Sequence, residues 1–242
     1  MEFPYPADDY LPQHSVNTTI LTLAMGDLLK LPPHRLIEIG SASLLHDLGM
    51  VKIPGQIHLS NKILTQKERQ MIVAHTALGY RLLKSFSATE DIALAALEHH
   101  ERYDGSGYPR SLKADKITLY GRIIAVACSY DAMTSKRPFK DALDGHHALL
   151  ELLKARQKLY DEKMIRALVF SISLFPLGST VYLNNGALAK VVKADPANPK
   201  YPVVQLILDA EGKQLSGQHL VTTSADLSVQ RCLSQNELPT QV

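Results

Sequence analysis

The sequence lacks the features that mark several common protein classes. Of its 242 residues only two are cysteine, Cys128 and Cys232; they lie far apart and form no CxxC pair, so neither a disulfide framework nor a zinc knuckle is indicated. Nowhere do about 18 apolar residues run uninterrupted, as a membrane-spanning helix requires. The first residues, MEFPYPADDY, hold no apolar stretch of the secretory-leader kind. No membrane partner is therefore expected, and a reducing cytoplasm is the expected location. A surplus of one charge is missing too, since 26 Lys and Arg against 24 Asp and Glu leave +2. Proteins that coat nucleic-acid polymers concentrate basic residues, so such polymers are not expected as partners. A small phosphate ligand, which needs one or two cations, stays open.

What the chain does have is 45% hydrophobic residues and enough length for a sizeable core. Its patterning changes near FPLGS (175–179), which predicts a mainly α helical domain over 1–177 and a small β-rich C-terminal appendage over 178–242. HSVNTTILTLAMGDLLKL (14–31) carries Val16, Ile20, Leu23 and Leu28 at helical spacing and stops at Pro32-Pro33. Residues 34–50 read as a second helix, followed by a loop. Thr65 with Glu68 forms a capping-box pattern that opens a helix to about Phe86, and Ser87 with Glu90 repeats it for a helix reaching His100. DGSGYPRSLKADK (104–116) must be a loop, because two glycines and a proline cannot continue a helix. Residues 118–135 form a strongly apolar helix, and two more are expected over 144–158 and 161–174. Beyond 178, Asn185-Gly186 between β-prone runs signals a hairpin, and PVVQLILDAEGKQL gives another strand with a glycine turn. This part holds five Lys/Arg and five Asp/Glu, so the +2 belongs to the helical part; no chemistry is expected of the appendage.

Chemistry enters with the histidines. His14, His46 followed by Asp47, His75, and His99-His100 fall on four predicted helices that must share one core. A lone helical histidine is usually structural, but five imidazoles with a carboxylate suit first-row transition metals. An Asp directly after a His can bridge two ions while the neighbouring imidazole binds one. The remaining histidines read as surface or loop residues. Arg137 and Lys140, three apart in KRPFK, either clamp a phosphate oxygen, the first by bidentate contact and the second as a point charge, or lie on a solvated turn. In HHERYDGSGYP, Gly105 and Gly107 permit a tight loop directly after two histidines and Pro109 stiffens its exit; such a loop presents Tyr108 toward the site. Asp104 either orients a ligand imidazole or forms an Asx turn.

These stretches resemble a known family. LLHDLGMVKIP is similar to the HD signature, HHERYDGSGYP to the GYP signature, and RIIAVACSYDAMTSKRPFK to the helix and loop that follow them in HD-GYP phosphodiesterases, in family order and spacing over residues 10–142. The resemblance implies an HD-type helical bundle and a binuclear or trinuclear iron or manganese site, in preference to zinc. It also implies hydrolysis of cyclic di-GMP to pGpG or GMP, and contacts of the GYP loop with diguanylate cyclase domains. It implies His14, His46, Asp47, His75, His99 and His100 as metal ligands, with His46 and Asp47 at the catalytic centre and Tyr108, Arg137 and Lys140 toward substrate. The chemistry is coherent: a phosphodiester anion repels hydroxide, so its hydrolysis benefits from cations that neutralise it and bring the pKa of a bound water to about 7.

Three positions depart from the family pattern. Tyr10 stands four residues before His14, where the family has a Glu that serves a third ion, so a binuclear site is the expectation. Met50 replaces the lysine of HDxGK and cannot donate to a phosphate; Lys52 reaches that place only if the loop turns differently. Cys128 replaces the aspartate that is the last ligand of the HD motif. It is either a thiolate ligand, since a nearby metal ionises a thiol, or a small buried hydrophobe that leaves one ion short of a ligand. Asp131, three residues on, matches a second acidic position of the family and is a candidate to compensate or to contact substrate. The departures leave, beside the cyclic di-GMP phosphodiesterase, a degenerate module that binds nucleotide or a partner protein without turnover. A third reading keeps the enzyme and changes the substrate to another cyclic dinucleotide or a mononucleotide, because nothing in the sequence reads a guanine edge.

Overall fold

The computed structural model describes residues 10–58, 63–135, 142–155, 158–195 and 197–233. Along the chain run α1 (Tyr10–Leu28), α2 (Pro33–Leu44), a 3-10 segment at Leu48–Lys52, α3 (Gly55–His58), α4 (Gln66–Val73), α5 (His75–Ser85) and α6 (Glu90–Glu98). After the GYP loop come α7 (Leu119–Thr134), α8 (Gly145–Lys154) and α9 (Glu162–Ile172), then β1 (Thr180–Leu183), β2 (Leu188–Lys193), β3 (Val203–Leu208), β4 (Leu220–Thr222) and β5 (Val229–Cys232). The class is mainly α with a small antiparallel sheet, as expected. Two compact units divide the residues as Met1–Ala142 with Ala155–Ile165, and Leu143–Lys154 with Arg166–Val242. Thus α8 and most of α9 group with the strands, whereas the sequence pattern changes only at 178. No helix among the described residues is long and apolar enough to cross a membrane.

Helix α1 forms where expected but turns its other face inward. Its buried residues are His14, Thr18, Thr22, Met25 and Gly26, while Val16 and Ile20 are 49% and 61% exposed. The reason is close approach. A Cβ at Gly26 would lie 2.8 Å from Leu36 Cδ2, and one at Gly40 would lie 3.2 Å from Leu23 Cδ2, so α1 and α2 meet over small residues. Ser43 Oγ donates to Thr22 Oγ1 at 3.1 Å across this contact, and a paired hydroxyl can be buried at little cost. Helix α7 is buried on nearly every side, from Tyr120 through Asp131, and Thr118 caps its start by accepting from the Gly121 N–H.

The helix expected from Thr65 to Phe86 is divided. Its start is as read, with a reciprocal capping box between Thr65 and Glu68. At Ala74 it breaks into α4 and α5, because His75 Nδ1–H donates to the Ile72 carbonyl (2.5 Å) and Thr76 Oγ1 to the Val73 carbonyl (3.1 Å). Side chains thereby engage the carbonyls that a continuous helix would offer to the next turn. The cap of α6 also differs: Thr89, not Ser87, accepts from the Ile92 N–H. Glu90 instead receives Lys84 Nζ (2.8 Å) and the Tyr80 hydroxyl (3.0 Å).

In the second unit the strands lie in the order β4-β3-β2-β1-β5, all antiparallel. The β1–β2 hairpin turns at Asn185-Gly186 as expected, with Gly186 at φ +89°, a conformation that favours glycine. Val181, Leu183, Ala189, Val191, Val204 and Phe175 form the core of this unit. Both cysteines are free thiols.

Candidate metal centre

One local device recurs at three of the predicted ligands. His46 stands just past α2, His75 opens α5 and His99 ends α6, and each ring donates Nδ1–H to the carbonyl three residues back: Ser43 (2.6 Å), Ile72 (2.5 Å) and Ala96 (2.9 Å). That bond fixes the tautomer, so Nε2 carries the lone pair and faces away from its own backbone. The three Nε2 atoms converge. His75 Nε2 lies 3.3 Å from His99 Nε2, and His46 Nε2, in a fully buried residue, has no hydrogen-bond partner among the described residues. A buried acceptor left so is costly unless a further atom fills its place.

Asp47 lies between two sets of imidazoles. Its Oδ1 is 3.3 Å from His75 Nε2 and 3.4 Å from His99 Nε2, while its Oδ2 is 3.5 Å from His46 Nε2 and 3.9 Å from His14 Nε2. Potential ligand atoms accordingly form two groups, Asp47/His75/His99/His100 and His14/His46/Cys128, each with its members within 4.8 Å of one another. Burial raises the Asp47 carboxyl, but the His46 charge and the His75 and His99 rings outweigh it and hold the group well below the usual carboxylate range. Burial draws His99 down to about 4 and His100 well below the usual imidazole value. His99 and His100 are thus kept neutral beside an ionised Asp47, the protonation state in which imidazole and carboxylate act as metal ligands.

The second group is built by α1 and α7. His14 Nδ1–H donates to Asp131 Oδ2 at 2.5 Å, and Asp131 Oδ1 accepts from Asn17 Nδ2 (2.9 Å) and Ser135 Oγ (3.2 Å). The Asp131 carboxylate is therefore engaged with His14 and its neighbours, an arrangement that orients the His14 ring. Cys128, one helical turn earlier, is buried with Sγ 3.5 Å from His14 Nε2. Burial pushes its thiol up, yet the His14 and His46 imidazoles outweigh this and bring it to about 6. Burial disfavours the His14 cation, but Asp131 and Cys128 raise it to about 10. Tyr10 stacks on His14, with centroids 5.3 Å apart and ring planes 13° from parallel. Asp131→Ala is expected to weaken ion binding at the His14 half about 10–100-fold, the usual effect of removing a carboxylate that orients a ligand histidine. Calorimetric titration should show one weakened step and one unchanged.

The GYP loop folds back against its own ligands. Tyr108 N–H donates to the His100 carbonyl (3.2 Å), and the Tyr108 ring stacks on His100 at 4.8 Å. A Cβ at Gly107 would lie 2.3 Å from Arg102 N and 2.5 Å from Glu101 Cα, so no other residue fits without displacing backbone. Gly105 takes φ +84°. Asp104 forms the Asx turn, accepting from Ser106 N–H (2.9 Å) and Oγ (2.6 Å). Pro109 follows Tyr108 through a cis peptide bond and is exposed.

A family profile described as HD domain matches residues 7–164. The chain belongs to the HD-domain family. A second profile, a KOW domain associated with the HD domain, matches residues 180–241. The cyclic di-GMP phosphodiesterase PdeB of Borreliella burgdorferi is 31% identical over 230 residues, covering 93% of this chain and 60% of the relative. A cyclic di-GMP phosphodiesterase of Thermotoga maritima is 44% identical over 132 residues, covering 54% of this chain and 36% of the relative. The chain therefore spans 60% or less of these relatives. Among solved structures, the HDGYP protein Bd1817 of Bdellovibrio bacteriovorus aligns with a TM-score of 0.57 over 66% of this chain and 52% of that one, at 17% identity; the fold is shared.

Within the HD domain the structure brings His14, His46, Asp47, His75, His99, His100 and Cys128 together. Met50 is buried, and Lys52 is exposed at the end of its 3-10 segment. Arg137 and Lys140 lie outside the described residues. Two acids that flank the His99-His100 pair were not singled out by the sequence reading. Glu101 is buried and accepts from Arg110 N–H (2.7 Å) and Leu112 N–H (2.9 Å); Glu98, also buried, accepts from Thr118 N–H (2.7 Å) and pairs with the Arg110 guanidinium. Their adjacency to the ligands was the available signal. Glu101→Ala should leave two loop N–H groups without their acceptor, at about 1–3 kcal/mol each where they stay buried. A lowered urea midpoint with unchanged slope would show it.

Proposed function

We propose that this HD domain hydrolyses a phosphodiester bond of cyclic di-GMP, giving pGpG or GMP, with two divalent ions held on either side of Asp47. The observation that carries the reading is the division of Asp47: each carboxylate oxygen faces a different set of imidazoles. The orphaned Nε2 of His46 and the neutral His99 and His100 fit such ions, and imidazole with carboxylate suits iron or manganese. Bound there, the ions supply charge that neutralises a phosphate and lowers the pKa of water. His46, His75 and His99 present Nε2 in fixed orientations, Asp131 does the same for His14, and Tyr108 covers one face of His100. Arg137 and Lys140 are assigned to clamp a non-bridging phosphate oxygen. The proposed helical domain, 1–177, carries this chemistry and the appendage, 178–242, none. Action in the cytoplasm, and a diguanylate cyclase domain as partner of the GYP loop, belong to the same proposal; the names of the relatives support the cyclic di-GMP substrate.

The test is an assay of anaerobically prepared protein, loaded with iron or manganese and supplied with cyclic di-GMP, in which linear product is resolved by chromatography. Product that accumulates catalytically supports the proposal. Loaded protein that binds the nucleotide and releases no product supports the degenerate module instead, and release from another cyclic dinucleotide alone reassigns the substrate.

A further inference from the structure

We propose that Cys128 is a thiolate ligand that makes the two halves of the centre chemically unequal, so that the His14/His46/Cys128 half discriminates against manganese in favour of iron. This rests on the two-ion reading above. Two independent observations support it. Cys128 is 7% exposed, with Sγ 3.5 Å from His14 Nε2 and within one ligand group with His46. His46 Nε2, whose residue is 0% exposed, has no hydrogen-bond partner among the described residues, while its Nδ1 is already committed to Ser43. A cysteine that merely filled space would leave that nitrogen with only the weak thiol to meet it. An ion held by both residues satisfies the nitrogen and gives the sulfur a role that an apolar filler lacks.

The chemistry of the donor set follows. A cysteine thiolate brings one negative charge, as a carboxylate would, but its donor is softer and its bond longer, about 2.3 Å to zinc against about 2.0–2.2 Å for nitrogen or oxygen. Thiolates favour softer ions, and among nitrogen, oxygen and sulfur sites manganese(II) binds more weakly than iron(II). The Asp47/His75/His99/His100 half has only nitrogen and oxygen donors. Sulfur on one side alone therefore separates the two halves.

The experiment uses the full chain, wild type and with Cys128→Ser or Cys128→Asp, loaded with cobalt(II) or zinc alone. Elemental analysis counts the ions, electronic absorption reads a sulfur-to-cobalt charge-transfer band, and X-ray absorption on the zinc form reads the shell distances. Circular dichroism confirms that the variants fold. The expected wild-type result is two ions per chain, a charge-transfer band and a sulfur shell at about 2.3 Å. Both sulfur signals disappear in the two variants, while Cys128→Asp retains two ions. In anaerobic competition, wild type admits manganese at one half and Cys128→Asp at both. Two ions without any sulfur signal in wild type overturn the thiolate and leave the two-ion reading standing. One ion with a sulfur signal supports the thiolate and overturns the two-ion reading. No ion, or one without sulfur, overturns both.

Discussion

Asp47→Ala is expected to lower kcat for the proposed cyclic di-GMP hydrolysis by about a thousandfold or more, because charge stabilisation by metal contributes several kcal/mol and each tenfold is worth about 1.4 kcal/mol. Among the described residues, Asp47 is the one carboxylate whose two oxygens lie within 4 Å of imidazoles from both ligand groups. Removing it takes an anion from each half at once, so neither half retains its charge balance. Asp47→Asn keeps the side chain's size and loses its charge; it should lose nearly as much activity, which separates the electrostatic effect from packing. Initial rates at saturating nucleotide and metal, with circular dichroism to confirm folding, check the result. A variant that kept a tenth of the wild-type kcat would show that Asp47 is not at the centre of the reaction.

Gly49→Ala is expected to be the most damaging substitution outside the ligand set. A Cβ there would stand 1.9 Å from the His75 carbonyl oxygen and 2.6 Å from Gly79 N. Those obstacles are backbone atoms, so no rotamer change relieves the collision and the 3-10 segment must move away from α5. Overpacking of this kind costs about 1–3 kcal/mol, sometimes more. Asp47 lies two residues before Gly49, and His75 owns the obstructing carbonyl, so the same movement separates two ligands that stand 3.3 Å apart. Metal affinity should fall about 10–100-fold, as when the groups supporting a site are disturbed, together with a lower urea midpoint. Gly79→Ala is the milder comparison, since its Cβ would meet Gly49 N at 3.3 Å. Equal behaviour of the two variants would contradict the close approach at Gly49.

Much of this centre was legible in the chain because its signals are local. The HD pair, the His99-His100 pair and the GYP loop each sit at a helix end that glycine, proline or a cap announces, and all five histidines join the two ligand groups. Signals that depend on tertiary contact were not legible. Apolar spacing in α1 marked a helix through Val16 and Ile20 but not its buried side, which the approach of α2 over Gly26 and Gly40 assigns to the threonine face. The break at Ala74 comes from His75 and Thr76 bonding to carbonyls behind them, a competition that helix propensity does not register. Asp131 read as a substitute ligand or a substrate contact, and its 2.5 Å bond to His14 became visible only with α1 and α7 packed together. Glu98 and Glu101 passed unremarked in the sequence, because their partners arrive only when the loop returns to meet them.

The central claim, that Asp47 joins two ion sites, is tested most directly by anomalous diffraction from crystals of the full chain grown anaerobically with iron. Two anomalous peaks are predicted, one beside Asp47 Oδ2 among His14, His46 and Cys128, the other beside Oδ1 among His75, His99 and His100. A single peak, or two peaks that both avoid the Asp47 carboxylate, would contradict it.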